Sequence, residues 1–311
     1  MRNVPEPIGA SSAILAFIVS VLWAGNVVSI KIGVDSVPPI WSAFWRMSLG
    51  VIFVALWAWR QGVSLRPHRR EYGPLLILGL LFTTQIALLN SATEMTSPAY
   101  GVVILNAYPI FVNLTGHFAA QRWHGVSEEP ITPVRGLGLA LALAGVLVLT
   151  LTRPDAALAT RPYLGNALMV ISSVLLGIRQ VYTRWLVQTV DPARSIVWQM
   201  ALSVPLFLLV AVFKEPPVVG HVTWQALAAI AYQGLIVAGI CFIVWAELLK
   251  KHSAGTLTMF SFIVPIGGIA LSAWLFGERL QPSLWWGTLL VMAGVFVVLR
   301  LGQTATAFEG E

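Results

Sequence analysis

The sequence predicts an all-α, polytopic membrane protein with ten transmembrane helices, and three observations support this fold class. Hydrophobic residues make up 57% of the 311 residues and charged residues only 10%, whereas a soluble domain carries roughly a quarter charged residues. Ten apolar segments follow one another, and each is about long enough for a helix to cross a ~30 Å hydrocarbon layer. The two halves of the chain also resemble each other, which indicates two five-helix repeats.

The connections between these segments are too short to fold as a separate domain, so any function must lie within the helical bundle. The apolar run Ala13–Leu22 could belong to a signal peptide. Trp23 continues the run to Ile30, however, and no small-residue cleavage site follows, which favours a retained first helix. The ten segments are 11–33, 39–60, 73–93, 98–120, 134–152, 163–184, 193–213, 223–248, 253–276 and 283–301.

The distribution of Lys and Arg predicts that both termini are cytoplasmic and that the protein lies in the inner membrane. Twelve basic residues fall on the side of the N-terminus and four on the other, as the positive-inside rule requires. The net charge of +6 therefore indicates cytoplasmic loops and no nucleic-acid partner. The twelve are Arg2, Arg60, Arg66, Arg69, Arg70, Arg122, Arg135, Arg184, Arg194, Lys250, Lys251 and Arg300, and the four are Arg153, Arg161, Lys214 and Arg279.

Nearly constant offsets relate residues 11–152 to residues 163–301, which we interpret as two copies of one unit. Each copy has five spans, and because five is odd, the second copy must enter the membrane from the opposite side. An inverted repeat of this kind is typical of transporters, in which two halves rock about a central site. An inert duplicated bundle is the alternative. Offsets of 153, 156 and 149 align Pro39 with Pro192, Pro109 with Pro265, and Gly138 with Gly287.

The stretch Ser253–Leu280 predicts a kinked helix. Pro265 lies near the middle of its apolar part and removes one backbone hydrogen bond there. Pro109 has the corresponding position in the first half. Gly101 and Gly255, near the start of the two segments, complete the set of four candidate hinge residues.

Several motifs together resemble the drug/metabolite transporters of the EamA type, over roughly residues 11–301. The resemblance implies ten helices, a central cavity and export of amino acids, other small metabolites or organic cations. The motifs are Trp23-Ala-Gly-Asn26, Lys31, Pro38-Pro39, Arg46, Leu248-Leu-Lys-Lys-His-Ser-Ala-Gly255, Pro265 and Gly277-Glu278-Arg279-Leu280.

The two halves depart from each other in two places, so the predicted pocket is asymmetric. The first half has Ala120-Gln-Arg-Trp123 where the second has Phe276-Gly-Glu-Arg279. The second half also has Arg179 where the first has Asn26.

Charged residues within the spans need an explanation, because each costs ~2.5 kcal/mol or more near the bilayer centre. Arg46 either binds a substrate carboxylate or is satisfied by backbone carbonyls at helix ends. Arg179 either reaches the inner surface or lines the pocket. Lys31 and Asp35 are one turn apart, which predicts an ion pair at the outer mouth and makes them candidate gate residues.

Polar and aromatic side chains within the spans supply the remaining cavity candidates, although Tyr and Trp at span ends also fit the interfacial belts. We expect no catalytic residue, no cofactor and no metal site, because no histidine pair has metal spacing and the one cysteine, Cys241, lies in an apolar run. The substrate-cavity candidates are Trp23, Asn26, Arg46, Gln85, Tyr100, Asn106, Tyr108, Arg179, Tyr182, Trp245, Phe260 and Phe262.

The favoured function is export of small metabolites by alternating access, with aromatic or neutral amino acids as the cargo and the lipid bilayer as the environment. An organic-cation or drug exporter would normally have a buried carboxylate, and no Asp or Glu falls near the midpoint of a span. A membrane enzyme or scaffold is the third hypothesis. The small-residue ridge of Gly136, Ala140 and Ala144 is expected to pack inside the bundle, so we expect a monomer.

Overall fold

The chain forms a bundle of membrane-length helices in a computed structural model that describes residues 8–120, 132–154, 157–218, 221–252, 257 and 259–301. The described residues contain no β-strand, which confirms the all-α fold class. The helices are α1 (Ala10–Val34), α2 (Pro39–Arg60), α3 (Tyr72–Met95), α4 (Pro98–Leu105), α5 (Tyr108–Ala120), α6 (Pro133–Leu151), α7 (Pro162–Leu186), α8 (Pro192–Lys214), α9 (Trp224–Ala231), α10 (Phe242–Lys251), α11 (Ile263–Phe276) and α12 (Pro282–Phe296).

Three short segments with other helical geometry connect or extend these helices. A π-helical segment, Tyr232–Cys241, joins α9 to α10 into one continuous span. A 3₁₀ turn, Met259–Phe262, precedes α11, and a second π-helical segment, Val297–Leu301, follows α12. Nine stretches of the described chain are long and apolar enough to cross a membrane, and Phe260–Phe276 is a shorter tenth.

Proline defines the first turn of many of these helices. Its fixed φ suits the start of a helix, and its missing N–H is one that would have no partner there. Side chains complete some of these starts: Asp191 Oδ1 accepts from the Ala193 amide at 2.9 Å, and Thr132 Oγ1 accepts from the Arg135 amide at 3.3 Å. The helices that begin at proline are α2, α4, α6, α7, α8 and α12.

The fourth span is broken into α4 and α5, but the break precedes the proline that was expected to cause a kink. α4 ends at Leu105, and α5 begins at Tyr108 after a turn at Asn106 and Ala107. Pro109 therefore lies in the first turn of α5, where its missing N–H costs little. Gly101 lies within α4, and a Cβ there would be 3.1 Å from Met169 Cε, so this glycine permits close packing at that position.

The predicted kink at the middle of the ninth span is also displaced. Pro265 lies in the first turn of α11, directly after the 3₁₀ turn, and it interrupts no interior helix. Gly255, the fourth hinge candidate, lies outside the described residues. In both halves the irregular backbone comes immediately before a proline.

Glycines bring α6 and α12 into close antiparallel contact. A Cβ on Gly294 would lie 2.4 Å from the Gly138 carbonyl oxygen, and a Cβ on Gly145 would lie 2.7 Å from the Gly287 oxygen. The earlier glycine of α6 thus faces the later glycine of α12. The predicted ridge is wrong in its register, because a Cβ on Gly136 would have no neighbour within 4 Å.

The helices α2 and α8 pack antiparallel as well. Glu215, just after α8, accepts hydrogen bonds from the Ile40 amide at 2.8 Å and the Trp41 amide at 3.0 Å, at the start of α2. At the opposite end Arg194 donates to the Ser64 carbonyl, just beyond α2, at 2.9 Å.

The loop before α3 carries a buried ion pair with the start of α8. Arg194 Nη1 lies 2.8 and 2.9 Å from the two carboxylate oxygens of Glu71. Desolvation raises the pKa of this carboxyl, but the His68 amide and Arg194 outweigh that effect and hold the pKa of Glu71 below its ordinary value of 4.5.

Candidate functional site

A cavity lies at the centre of the bundle, among helices of both halves. Its volume is about 130 Å³, far above the ~10–15 Å³ that a single water needs, so it has room for several waters or a small solute. The described parts of α6 and α12 contribute no lining residue. The lining consists of Trp23, Asn26, Val27, Arg46, Gln85, Ile86, Leu89, Val102, Leu105, Asn106, Tyr108, Leu176, Arg179, Gln180, Thr183, Ile196, Gln199, Val237, Phe242, Trp245, Ala246, Ser261 and Val264.

Eight of the twelve candidate residues line this cavity, and four do not. Tyr100 directs its hydroxyl to Ser283 Oγ at 2.8 Å, outside the cavity, and Tyr182 donates to the Pro74 carbonyl at 3.1 Å. Phe260 packs in the hydrophobic cluster around Leu257 and Trp245. Phe262 packs against the main core and borders a separate small crevice. The eight that line the cavity are Trp23, Asn26, Arg46, Gln85, Asn106, Tyr108, Arg179 and Trp245.

Aromatic rings form one wall of the cavity. Trp23 and Trp245 have ring centroids 4.8 Å apart, and Trp23 and Phe242 have centroids 6.4 Å apart in an edge-on arrangement. The Tyr108 hydroxyl lies 3.0 Å from Ser261 Oγ, so it links the start of α5 to the 3₁₀ turn of the other half. The wall is therefore built from both halves.

Arg46 projects into the cavity without a hydrogen-bond partner in the described chain. Its residue surface is only 1% exposed, yet neither Nε nor Nη1 has an acceptor. The expectation that backbone carbonyls satisfy it is wrong for these two nitrogens. The backbone of α2 at Arg46 packs closely against the π-helical segment, since a Cβ on Gly234 would lie 2.8 Å from the Arg46 carbonyl oxygen.

Arg179 also lines the cavity, so the alternative that it reaches the inner surface is wrong. It is 8% exposed, and its guanidinium carbon lies 4.9 Å from the ring centroid of Phe82 and 6.0 Å from that of Phe242. Its Nε has no acceptor among the described residues.

Amide side chains add unpartnered acceptors to these donors. Gln85 exchanges hydrogen bonds with Ser172 at 3.1 Å but leaves its Oε1 without a partner, and Asn26 Oδ1 is likewise free. Gln199 contributes a further free Oε1, and sequence reasoning missed it. A polar residue within the apolar segment 193–213 was the signal that could have identified it.

Polar contacts join the helices at the end of the bundle near the start of α4. Lys31 Nζ donates to the carbonyls of Thr93, Glu94 and Thr96 at 3.1, 2.9 and 3.0 Å. The predicted ion pair of Lys31 with Asp35 is wrong, because no such pair within 4.0 Å appears in the described chain. Three carbonyls at the end of α3 outcompete the more exposed carboxylate.

The Gly277-Glu278-Arg279 motif contributes polar contacts at the same end of the bundle. Glu278 is 5% exposed, and its Oε2 accepts from the Ala99 amide in the first turn of α4 at 3.2 Å and from Ser272 Oγ at 2.5 Å. A carboxylate at the start of a helix is stabilised by the helix dipole. This contact joins α4 and α11, the fourth and ninth spans, in antiparallel orientation.

In contrast, the cavity lining continues toward the opposite end of the bundle. Thr183 lies close to the end of α7, and Ile196 lies close to the start of α8. The bundle of membrane-length helices and its central cavity are typical of a multi-pass membrane transporter.

Comparison with known proteins identifies the family. The model of the EamA-like transporter family matches residues 10–151 and again residues 163–300, so the chain belongs to that family. A transporter of Bacillus subtilis named YoaV, described as uncharacterized, is 22% identical over 90% of this chain and 93% of its own length. A probable amino-acid metabolite efflux pump of Escherichia coli is 25% identical over 91% of this chain and 93% of its own length.

Two further similarities concern the location and the fold. The inner membrane transporter YedA of Escherichia coli, described as uncharacterized, is 24% identical over 92% of this chain and 90% of its own length. A solved structure titled only as the crystal structure of a protein covers 96% of this chain and 99% of its own, with 20% identity and a TM-score of 0.68, which shows the fold. The protein is thus a multi-pass protein of the inner membrane.

Proposed function

We propose that the protein exports amino acids and related small carboxylates by alternating access through the central cavity, and that it is not an enzyme. The observation that carries this proposal is Arg46, a buried guanidinium with free N–H groups in a solute-sized cavity. A guanidinium matches a carboxylate in charge and geometry. The two relatives named as probable amino-acid metabolite efflux pumps, 25% and 26% identical, support the cargo class.

The two halves act as inverted repeats, 11–152 and 163–301, that rock against each other. Three antiparallel pairs of corresponding spans support this arrangement: α2 with α8, α4 with α11, and α6 with α12. With both termini cytoplasmic, the end at which Lys31 and Glu278 make their contacts is the outer end, and the cavity lining extends toward the cytoplasm. The protein is therefore inward-facing, in the state that receives cargo for export.

Within this cargo class two subclasses fit different features of the cavity. The aromatic wall of Trp23, Phe242 and Trp245 suits the aromatic or neutral amino acids that the sequence favours. A second arginine, Arg179, suits acidic metabolites. An organic cation is the alternative cargo, and it finds no Asp or Glu among the described lining residues.

A flux assay in proteoliposomes tests the proposal. Radiolabelled amino acids and small organic acids are loaded inside, and exchange is started by adding unlabelled solute outside. We expect saturable exchange of at least one carboxylate-bearing solute, and no exchange of tetraethylammonium. Saturable flux of tetraethylammonium alone would overturn the proposal in favour of a cation exporter.

A pair of matched substitutions places the pathway. Leu176→Trp adds bulk at the cavity wall and is expected to reduce exchange to the level of empty liposomes. Leu137→Trp makes the same change at a residue that is 59% exposed on the surface of α6, and is expected to keep wild-type exchange. Equal exchange by the two variants would contradict transport through this cavity.

A further inference from the structure

The two arginines of the cavity differ from Arg194 and Lys31 in their hydrogen-bond partners. Arg194 has the carboxylate of Glu71, and Lys31 has three backbone carbonyls at hydrogen-bond distance. Arg46 and Arg179 are buried as well, but Nε and Nη1 of Arg46 and Nε of Arg179 have no acceptor in the described chain. An uncompensated buried charge is costly. The natural explanation of these guanidiniums is therefore an anionic ligand that the protein itself does not supply.

The aromatic contact of Arg179 offsets only part of this cost. A cation over the face of Phe82 is attracted by the ring quadrupole, but a ring provides no hydrogen-bond acceptor of the strength of a carboxylate. The same guanidinium and that of Arg46 line the same cavity. The cavity therefore holds two like charges near one volume of solute size.

The free amide oxygens leave a competing interpretation open. In this interpretation Asn26 Oδ1 and Gln85 Oε1 accept hydrogen bonds from the ammonium group of a neutral amino acid, while Arg46 binds its carboxylate. Such a zwitterion brings no net charge and only one carboxylate, so Arg179 would stay without an anionic partner. A solute with two carboxylates supplies one anionic group for each arginine.

We infer that the cavity binds organic acids of net negative charge, and dicarboxylates above all, through Arg46 and Arg179, in preference to neutral amino acids. This inference rests on the proposed function for its physiological meaning. It concerns binding, however, and binding can be measured without transport.

A series of solutes with the same five-carbon skeleton tests the inference. Binding to the purified wild-type protein is measured by titration calorimetry in low-chloride buffer, with glutarate, glutamate, norvaline and pentylamine as probes. We expect affinity to fall in that order. Glutarate should bind about tenfold or more tightly than norvaline, because one additional charge-assisted contact contributes a factor of that size. Norvaline binding as tightly as glutarate, or no binding of glutarate, would overturn the inference.

Matched variants assign the preference to the two arginines. Arg46→Gln and Arg179→Gln are each expected to weaken glutarate binding by about tenfold or more and to change norvaline binding less. Arg60→Gln removes a positive charge from an exposed residue at the end of α2 and is expected to leave both affinities unchanged. An equal loss in all three variants would show that only the overall charge of the protein matters.

The outcomes separate this inference from the proposed function. Norvaline that binds tightly and is exchanged in liposomes would retain amino-acid export but overturn the anion preference. Glutarate that binds through both arginines without any exchange would retain the anion site but overturn transport. Should a glutamine variant fail to give monodisperse protein, the order of affinities in the wild type still decides the inference.

Discussion

Replacing Arg46 with methionine is expected to stabilise the protein while it weakens cargo binding. The guanidinium is 1% exposed and two of its nitrogens lack acceptors, so the folded state carries the cost of a charge in the membrane interior. That cost is about 2.5–3.5 kcal/mol at the centre of a span, and methionine fills a similar volume without it. At roughly 2 °C per kcal/mol for a chain of this size, the apparent melting temperature should rise by about 5 °C.

The same substitution at Arg194 serves as the control, with the opposite sign expected. Arg194→Met leaves the Glu71 carboxylate without its ion-pair partner, at a cost of ~2 kcal/mol. Both variants are purified in the same detergent, and unfolding is followed by intrinsic fluorescence during heating. A lower melting temperature for Arg46→Met than for the wild type would refute the reasoning, because it would show that the Arg46 side chain is held by stabilising contacts.

Three further predictions concern the contact of α6 with α12, the Lys31 hydrogen bonds and the Glu71 ion pair. Gly294→Leu should lower the apparent melting temperature, since its Cβ would lie 2.4 Å from backbone atoms and overpacking costs ~1–3 kcal/mol, whereas Gly136→Leu, with open space around it, should not. Lys31→Met should destabilise the protein in the same heating assay by leaving three carbonyls without a donor, and Lys31→Arg should restore most of that loss. The contribution of Glu71 to stability should be complete at neutral pH and be lost as the pH falls through its lowered pKa, because a carboxyl with a depressed folded pKa stabilises the protein only while ionised. Glu71→Gln should flatten that part of the pH profile of the melting temperature. An unchanged profile would contradict the assignment.

The sequence predicted the spans well, and most of the cavity. Apart from the ninth segment, whose start lies outside the described residues, apolar segments and helices agree to within a few residues. The length of an apolar run is set by the membrane and can be read without knowing the neighbours. Arg46 and Arg179 could be singled out for the same reason: a charge within an apolar run is unusual whatever lies beside it. Gln199 was missed although the same argument applied to it in a weaker form.

The errors concern the partner of a side chain or the register of a helix face. Lys31 was paired with Asp35, one turn away, whereas its partners are carbonyls more than sixty positions along the chain. Tyr100 and Tyr182 were counted as cavity residues, but each hydroxyl is satisfied elsewhere. Spacing along one helix does not tell which of its faces meets another helix.

The backbone breaks show the same division. Pro109 and Pro265 correctly marked the neighbourhood of irregular backbone, since a proline restricts the residues around it. The actual turn at Asn106 and Ala107 precedes its proline, because a proline is accommodated best in the first turn of the helix that follows.

By itself, the sequence determined an all-helical, multi-pass membrane protein and the buried arginines, because the solvent preference of each segment is a local property. Only the tertiary structure decided which buried cations are satisfied by the protein and which remain free in the cavity. The reason is physical: a hydrogen bond or ion pair forms over ~3 Å between atoms that can be far apart in the chain, so its presence depends on how the helices pack.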